Sequence, residues 1–457
     1  MGSNWPEYRL DQLTKLIVDC PHSTPKWTDS GVVVLRNQYI RNGRLDLSAP
    51  SYTNEEGYQS RVKRAVPKPG DIVLTREAPM GEVCEIPEGL RCCLGQRMVL
   101  IRADETIVDP KYLLFVFQGP YLQHQVGWNE GTGTTVSNIR IPNIKAFRIP
   151  LPPLSEQQRI AGILGGIDAK IALNRQINTT LESMAQALFK SWFVDFDTVI
   201  DNALAAGNPI PEPLQARAQA RAALGDQRQP LPESIRNQFP DRFVFTEALG
   251  WVPEGWEPRP LSELININPR TPLKKGQVAK YVDMKALPTG GYSVSELAEK
   301  EYSGGAKFIN GDTLLARITP CLENGKTGVV DFLANEETGF GSTEFIVLRP
   351  KGAVGTPFIA ALARNDIFRR HCVTNMVGSS GRQRVQNACF DSYFVATPNN
   401  EYLLEKFNDI GQNWFSRMKA LSDESRALAS LRDTLLPKLL SGELRVPEAE
   451  RQVAEVL

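Results

Sequence analysis

The chain has 457 residues, 42% of them hydrophobic and 23% charged, a length beyond one small core and a composition that excludes wholesale disorder. Lys and Arg total 52, as do Asp and Glu, so the formal charge is zero; bulk charge makes no case for a polyanionic partner, although a bound phosphate backbone answers to a local basic surface. The seven cysteines are odd in number and scattered, which argues against a zinc cluster or a complete disulfide framework; with no apolar stretch of about 18 residues and no basic leader, a cytoplasmic protein without membrane spans is expected.

Residues 1–150 read as a first strand-rich domain. Val32-Val33-Val34-Leu35 is one strand, Gly70-Asp71 turns into Ile72-Val73-Leu74-Thr75, and Arg97-Met98-Val99-Leu100-Ile101 is another. A helix is expected over 112–125, with Leu113, Leu114, Phe117 and Leu122 in the core. Within 151–197 one long helix is expected from Leu154 to Phe193, where Ser155 and Gln158 have the capping-box spacing. Its apolar residues recur every three or four positions, and it would run roughly 55–60 Å at about 1.5 Å per residue, so its stripe needs a long partner.

The stretch 198–250 is rich in Ala, Pro, Gln and Arg and reads as a connector with one short helix over 214–224. A second strand-rich domain follows at 251–397. The segment 398–445 then holds a second long helix, with Asn399 and Asn400 as possible caps, Pro437 kinking or ending it and Gly442 stopping it; 446–457 reads as a tail.

The two strand-rich domains repeat one another in order. Trp5, Leu10 and Leu13 compare with Trp256, Leu261 and Leu264, and Gly70-Asp71-Ile72-Val73-Leu74-Thr75-Arg76 compares with Gly311-Asp312-Thr313-Leu314-Leu315-Ala316-Arg317. The Ala78-Pro79 and Thr319-Pro320 pairs follow in step, and each half ends in its long helix. The expected fold is α+β, two repeated strand-rich domains separated by two long helices that pair as an antiparallel coiled coil. The seam would be formed by Ile160, Leu164, Ile167, Ile171, Leu181, Leu188, Ile410, Met418, Leu421, Leu428 and Leu435, with Asn174 and Asn178 as register devices. The alternative is that each helix packs within its own domain.

No catalytic constellation is legible. Gly131-Thr132-Gly133-Thr134-Thr135 is neither a dinucleotide fingerprint nor a phosphate loop, and His22, His124 and His371 have no metal-ligand spacing. There is no Asn/Asp-Pro-Pro-Tyr/Phe run of the kind that holds an extruded adenine. Two similar bodies suit instead the reading of two parts of an extended partner, for which duplex DNA is the obvious candidate. The basic residues grouped near turns are Arg61, Lys63, Arg64 and Arg76 in the first domain and Lys274, Lys275, Arg317, Arg382 and Arg384 in the second. Arginine pairs bidentately with guanine or phosphate, and lysine tracks phosphate. Asn37, Gln38, Asn138, Ser379 and Ser380 add neutral donors and acceptors. A two-domain protein-interaction scaffold without sequence-specific DNA binding stays open on these features.

Leu151-Pro152-Pro153-Leu154-Ser155-Glu156-Gln157-Gln158-Arg159-Ile160, Leu188-Phe189-Lys190-Ser191-Trp192-Phe193-Val194-Asp195-Phe196, Gly250-Trp251-Val252-Pro253-Glu254-Gly255-Trp256 and Leu435-Leu436-Pro437-Lys438-Leu439-Leu440-Ser441-Gly442-Glu443-Leu444 together resemble the framework of the specificity subunit of type I restriction-modification systems. Pro398-Asn399-Asn400-Glu401-Tyr402 departs from a tidy repeat of the first of these. The resemblance implies a non-catalytic subunit whose two target-recognition domains read the two halves of a bipartite double-stranded DNA site, with the paired helices setting their spacing. It implies two docked adenine-N6 methyltransferase subunits, joined by motor-endonuclease subunits for restriction and defence against foreign DNA. No cofactor is expected in this chain; S-adenosylmethionine, magnesium and ATP would belong to the partners.

Overall fold

The computed structural model describes residues 5–128, 138–228, 231–379 and 381–455, and the chain forms two units, Met1–Ala172 with Glu424–Leu457, and Leu173–Asp423. Ser380 and the glycine-rich 131–135 lie outside the described residues.

The Gly-Asp pair shared by the two halves shows why they fold alike. Gly70 sits at φ +82°, a left-handed turn position that glycine tolerates without steric cost. The next residue, Asp71, is buried; its carboxylate accepts from Lys68 N at 2.8 Å and from Arg102 Nε and Nη2, both at 2.7 Å. The second unit repeats this: Gly311 is at φ +90° and Asp312 accepts from Ile309 N at 2.8 Å and from Arg349 Nε and Nη2, both at 2.7 Å. A buried carboxylate needs such a bidentate partner, so turn, strand and arginine-bearing neighbour are fixed together.

The sheets repeat as well. In the first unit Met98–Ala103 lies between Thr14–Asp19 and Ile72–Thr75, with Val83–Glu85 outermost, all antiparallel. In the second, Phe345–Arg349 lies between Asn266–Ile267 and Thr313–Ala316, with Thr327–Val329 outermost, again all antiparallel. The second sheets share a parallel pair, Val32–Leu35 with Cys92–Leu94 and Val278–Val282 with Gly339–Gly341, and an antiparallel neighbour on the other side, Ser51–Thr53 or Ala298–Glu301. They differ in the fourth strand. Trp27–Thr28 adds beside Ser51–Thr53, whereas Ala306–Phe308 adds beside Gly339–Gly341. A two-stranded ladder closes each domain, Glu7–Arg9 with Arg148–Pro150 and Trp256–Pro260 with Phe394–Pro398.

The helix expected over 112–125 is two helices, Pro110–Gln118 and Pro120–Trp128, because Gly119 takes an extended backbone and Pro120 starts the next turn with no N–H to continue the first. Thr356–Arg364 and Asp366–Thr374 are their counterparts, split at Asn365, whose side chain caps the second helix. Leu113, Leu114, Phe117 and Leu122 are all in the core of the first unit.

The long helices are Leu154–Phe193 and Tyr402–Ser441, 40 residues each, about 60 Å long at about 1.5 Å per residue. Ser155 does not cap the first. The Pro153 carbonyl accepts from Glu156 N and Gln157 N, and the buried Gln157 side chain accepts from Asp109 N at 2.8 Å and donates to Pro152 O at 2.9 Å and Ile107 O at 3.2 Å. Asn400 does cap the second, accepting from Tyr402 N at 3.0 Å. Pro437 is carried inside this helix and does not end it; the stop is Gly442 at φ +74°, where a Cβ would fall 2.8 Å from the Trp5 ring.

The two helices pack antiparallel along one another. In the first unit Arg432 pairs with Asp168 at 2.7 Å and Lys170 with Glu424 at 3.3 Å. In the second, Asn174 Nδ2 lies 3.4 Å from Leu421 O, and Asn178 Nδ2 donates to Met418 O at 3.3 Å and Ser422 Oγ at 3.0 Å. Ile160, Leu164, Ile167, Ile171, Leu428 and Leu435 are buried in the first core together with Leu10, Leu13 and Phe117 of the adjoining domain. Leu181 and Met418 meet around Ala185 and Phe415; Leu188 and Ile410 border the second core, and Leu421 is buried. The apolar stripes thus cover domain and helix together.

The second core explains the Leu188–Phe196 motif: Phe189, Trp192, Phe193 and Phe196 interlock with Phe358, Phe407, Phe239 and Trp256, mostly edge to face. The connector enters this core through Val199 and Phe239. Its helix Glu212–Ala223 is pinned to Asp197–Ala206 by Arg217 on Asp197 at 2.8 Å and by Arg221 on Asp201. The stretch 446–457 contains the helix Val446–Ala454, whose Val446 and Ala449 are buried in the first core.

Candidate nucleic-acid interface

Arg76 and Arg317 end equivalent strands, and each grips a residue far along the chain from two sides. Arg76 Nε donates to Ile139 O at 2.9 Å while Arg76 O accepts from Ile139 N at 3.3 Å. Arg317 Nη2 donates to Val385 O at 2.6 Å while Arg317 O accepts from Val385 N at 2.9 Å. Arg76 is buried and its Nη1 also reaches Asp19 Oδ1 at 2.7 Å, so its cation is committed inside the protein. Arg317 is half-buried, with a buried Nε that has no hydrogen-bond partner.

Arg61 is committed too. Its guanidinium is buried and donates to the carbonyls of Leu94 at 2.7 Å, Gly95 at 2.8 Å, Ser23 at 3.0 Å and Pro21 at 3.2 Å, and burial pulls its pKa down. It ties two loops beneath the surface that Lys63 and Arg64 expose; Arg64 reaches Asp19 O at 3.2 Å. Asn37 is half-buried and donates to Glu77 O, Gln38 is exposed, and Asn138, half-buried, precedes the gripped Ile139. In the second unit Arg384 holds Glu344 through Nε at 2.9 Å and Nη2 at 2.6 Å, and Arg382 and Ser379 are exposed on the adjoining turn. Lys274 and Lys275 are exposed on a turn bonded to Tyr302.

The contacts join the segments of Asn37, Arg76 and Asn138 into one neighbourhood, with Gln38 next to Asn37 in the chain, and add residues the sequence did not single out. Glu77, whose carbonyl Asn37 holds, pairs with Arg97 at 3.2 Å, and Arg97 O accepts from Arg76 N at 2.8 Å. Arg97 is 52% exposed and so presents a charge. Arg36, beside Asn37, lies 5.3 Å from the centre of the exposed Trp27 ring, and Arg140, beside Ile139, is exposed. In the second unit the place of Arg97 is taken by Glu344, whose carbonyl accepts from Arg317 N at 3.0 Å. The framework is the same and the charge is opposite. The sequence signal is weak: Gly95 lies two residues before Arg97 and Gly341 three before Glu344, so aligning the glycines leaves the pair one position out of step.

Chemistry is not concentrated anywhere in this neighbourhood. Among the described residues no group of three His, Cys, Asp or Glu side chains is placed to hold a metal ion, and burial pushes the thiols of Cys84 and Cys92 up to about 12, away from nucleophilic thiolate. Among the same residues no helix is long and apolar enough to cross a membrane. What the site offers is two similarly framed surfaces with arginine, asparagine and glutamine at loop positions, a donor set suited to phosphates and base edges.

A family model for the type I restriction modification DNA specificity domain matches residues 2–183. The HindI specificity subunit of Haemophilus influenzae is 25% identical over 97% of this chain and 100% of its own length; the MjaIX specificity subunit of Methanocaldococcus jannaschii is 24% identical over 94% of this chain and 88% of its own. The crystal structure of the S subunit of a type I restriction-modification system from M. genitalium shares the fold at a TM-score of 0.52 and 16% identity, over 96% of both chains. The chain is thus similar over nearly its whole length to specificity subunits of type I restriction-modification systems, and its residues 2–183 match the DNA specificity domain of those systems.

Proposed function

We propose that each strand-rich domain reads one half of a bipartite double-stranded DNA site, that the paired helices set the gap between the halves, and that the same helices dock two adenine-N6 methyltransferase subunits. Motor-endonuclease subunits join that assembly for restriction, in the cytoplasm. The observation that carries the reading is the repeat with inverted charge: Arg76 and Arg317 make the same grip on Ile139 and Val385, while the place that Arg97 takes in one half is taken by Glu344 in the other. Identical frames with different surface charge suit two different half-sites better than one target read twice.

Exposure divides the residues proposed to meet DNA. Gln38, Lys63, Arg64, Lys274, Lys275, Ser379 and Arg382 are exposed, and Arg36, Arg97 and Arg140 join them. Asn37, Asn138 and Arg384 border the surface; Arg61, Arg76 and Arg317 act from beneath it by holding the loops. S-adenosylmethionine, magnesium and ATP belong to the partner subunits. Reconstitution with the purified methyltransferase partner and random-sequence DNA, followed by mapping of methylated adenines, tests the reading. It expects methylation confined to a gapped site, and none from the isolated chain. Methylation without a gapped consensus, or the absence of any sequence-selective binding by the assembly, returns the chain to an interaction scaffold.

A further inference from the structure

Besides the apolar core it shares with the long helices, each recognition domain makes a polar attachment to the helix pair, and each attachment centres on one carboxylate of the first long helix. In the first unit the attached loop is the hairpin of Ile40–Arg41 and Arg44–Leu45. Its turn residues Asn42 and Gly43 have φ of 50° and 76°, as a tight two-residue hairpin requires. The tip is held from within the domain: Asn42 N donates to Glu82 Oε2 at 2.8 Å, and a Cβ on Gly43 would fall 2.4 Å from Gln118 Oε1. Arg44 Nη2 then donates to Asp168 Oδ1 at 3.1 Å, and Arg432 of the second long helix donates to the same oxygen at 2.7 Å. One carboxylate thus joins domain, first helix and second helix.

The second unit solves the same problem with other residues. Glu182 Oε2 accepts from Gly291 N at 2.6 Å, and Glu182 Oε1 lies 3.6 Å from Arg364 Nε. Arg364, buried, gathers that loop by donating to Thr289 O at 2.6 Å and Gly325 O at 2.7 Å. Beside it Gln186 donates to Tyr292 Oη at 2.6 Å, and the Tyr292 ring lies 5.0 Å from Phe415 of the second long helix. Again domain, first helix and second helix meet at one point.

An apolar interface is non-directional and tolerates small rotations; a directional polar contact beside it removes that freedom. We propose that Asp168 and Glu182 are positioning residues that lock the angle of each recognition domain on the helix pair, and that this lock sets how strictly the gap between the half-sites is enforced. The inference rests on the bipartite reading above and adds what enforces it. One base pair advances DNA by about 3.4 Å, so a small pivot within either unit is enough to admit a neighbouring gap.

The test uses the whole chain assembled with its methyltransferase subunits and random-sequence DNA, comparing wild type with Asp168→Ala, Arg44→Ala and Glu182→Ala. Wild type methylates sites of one gap length. The variants keep both half-site sequences but methylate sites one base pair shorter or longer at least tenfold more than wild type, and Asp168→Glu restores part of the stringency. Loss of folding does not mimic this, because it lowers methylation at every gap alike; Arg44→Ala also probes the lock without altering a helix residue. Unchanged gap distributions in assembled Arg44→Ala and Glu182→Ala overturn the lock while leaving the bipartite reading intact. A wild-type pattern with no gapped site overturns both.

Discussion

Arg97 and Glu344 occupy equivalent places in the two recognition domains and carry opposite charge. The carbonyl of each accepts from the backbone N–H of the arginine that ends the matching strand, Arg76 or Arg317. Each side chain is paired with a residue peculiar to its own half, Arg97 with Glu77 and Glu344 with Arg384. Duplication has preserved the hydrogen bond that shapes the backbone and left the side chain free to diverge.

Reversing the charge at Arg97 should therefore act on one half-site alone. Arg97→Glu is expected to weaken binding to targets whose first-domain half is intact and to leave discrimination at the other half unchanged. If Arg97 meets a phosphate, the slope of log affinity against log salt falls in magnitude by about 0.9 for the lost contact. Competition binding with targets mutated in one half at a time, repeated at several salt concentrations, measures both. Relaxation at the two halves together would break the assignment of one domain to one half.

Arg76 and Arg317 are expected to fail differently from Arg97. Arg76→Ala removes a buried cation from Asp19 and from the Ile139 carbonyl, and breaking a buried pair costs roughly 3–5 kcal/mol. Arg317→Ala removes a charged hydrogen bond at 2.6 Å from a half-buried site, about 1.5–3 kcal/mol. Thermal unfolding should show both losses, larger for Arg76→Ala. In each variant that remains folded, half-site discrimination fades only on the side of the altered domain. Full stability with abolished DNA binding would mean that the arginine faces DNA instead of gripping its loop.

This contrast marks what the sequence made legible. The repeat, the long helices and the Gly-Asp turns were readable because periodicity and turn chemistry are local. Whether an arginine points outward was not, because Arg61 and Lys63 are two positions apart in one basic run yet the first spends its guanidinium on four carbonyls from distant loops. Ser155 had the right spacing for a cap but lost that role to the Pro153 carbonyl and the buried Gln157 amide, a tertiary arrangement that involves Asp109. Arg97 is not legible in the sequence because its equivalence to Glu344 comes from strand pairing.

The Glu344–Arg384 pair predicts a pH signature of the second domain. Arg384 holds the Glu344 carboxyl below the usual carboxylate range through its hydrogen bonds. A carboxylate with a depressed folded-state pKa contributes stability that is fully present above its unfolded value, near about 4.3, and is lost as pH falls through the depressed value. Arg384→Ala should therefore raise the Glu344 pKa towards the ordinary value, read by carboxyl NMR, and should reduce the stability difference between neutral and acidic pH. An unmoved Glu344 titration would show that the pair is not kept in solution.

The helix stripe gives the last expected outcome. Ile171 and Leu428 are 1% and 0% exposed in the first core, where the two long helices and the recognition domain meet. Aspartate at either position loses the apolar contacts, worth about 2–5 kcal/mol even for truncation to alanine, and adds a charge with no partner in an apolar site. Leu173, by contrast, is 51% exposed on the same helix, and Leu173→Asp should change stability by no more than about 0.5 kcal/mol. Thermal unfolding ranks the three variants, and size-exclusion chromatography with light scattering follows their assembly with the methyltransferase. Ile171→Asp and Leu428→Asp are expected to lose assembly and methylation together, because a partner docked on the helix pair needs the pair intact. Full assembly by both aspartate variants would show that the stripe does not hold the pair. Loss of assembly by Leu173→Asp with its stability unchanged would instead place the methyltransferase contact on the exposed side of the first helix.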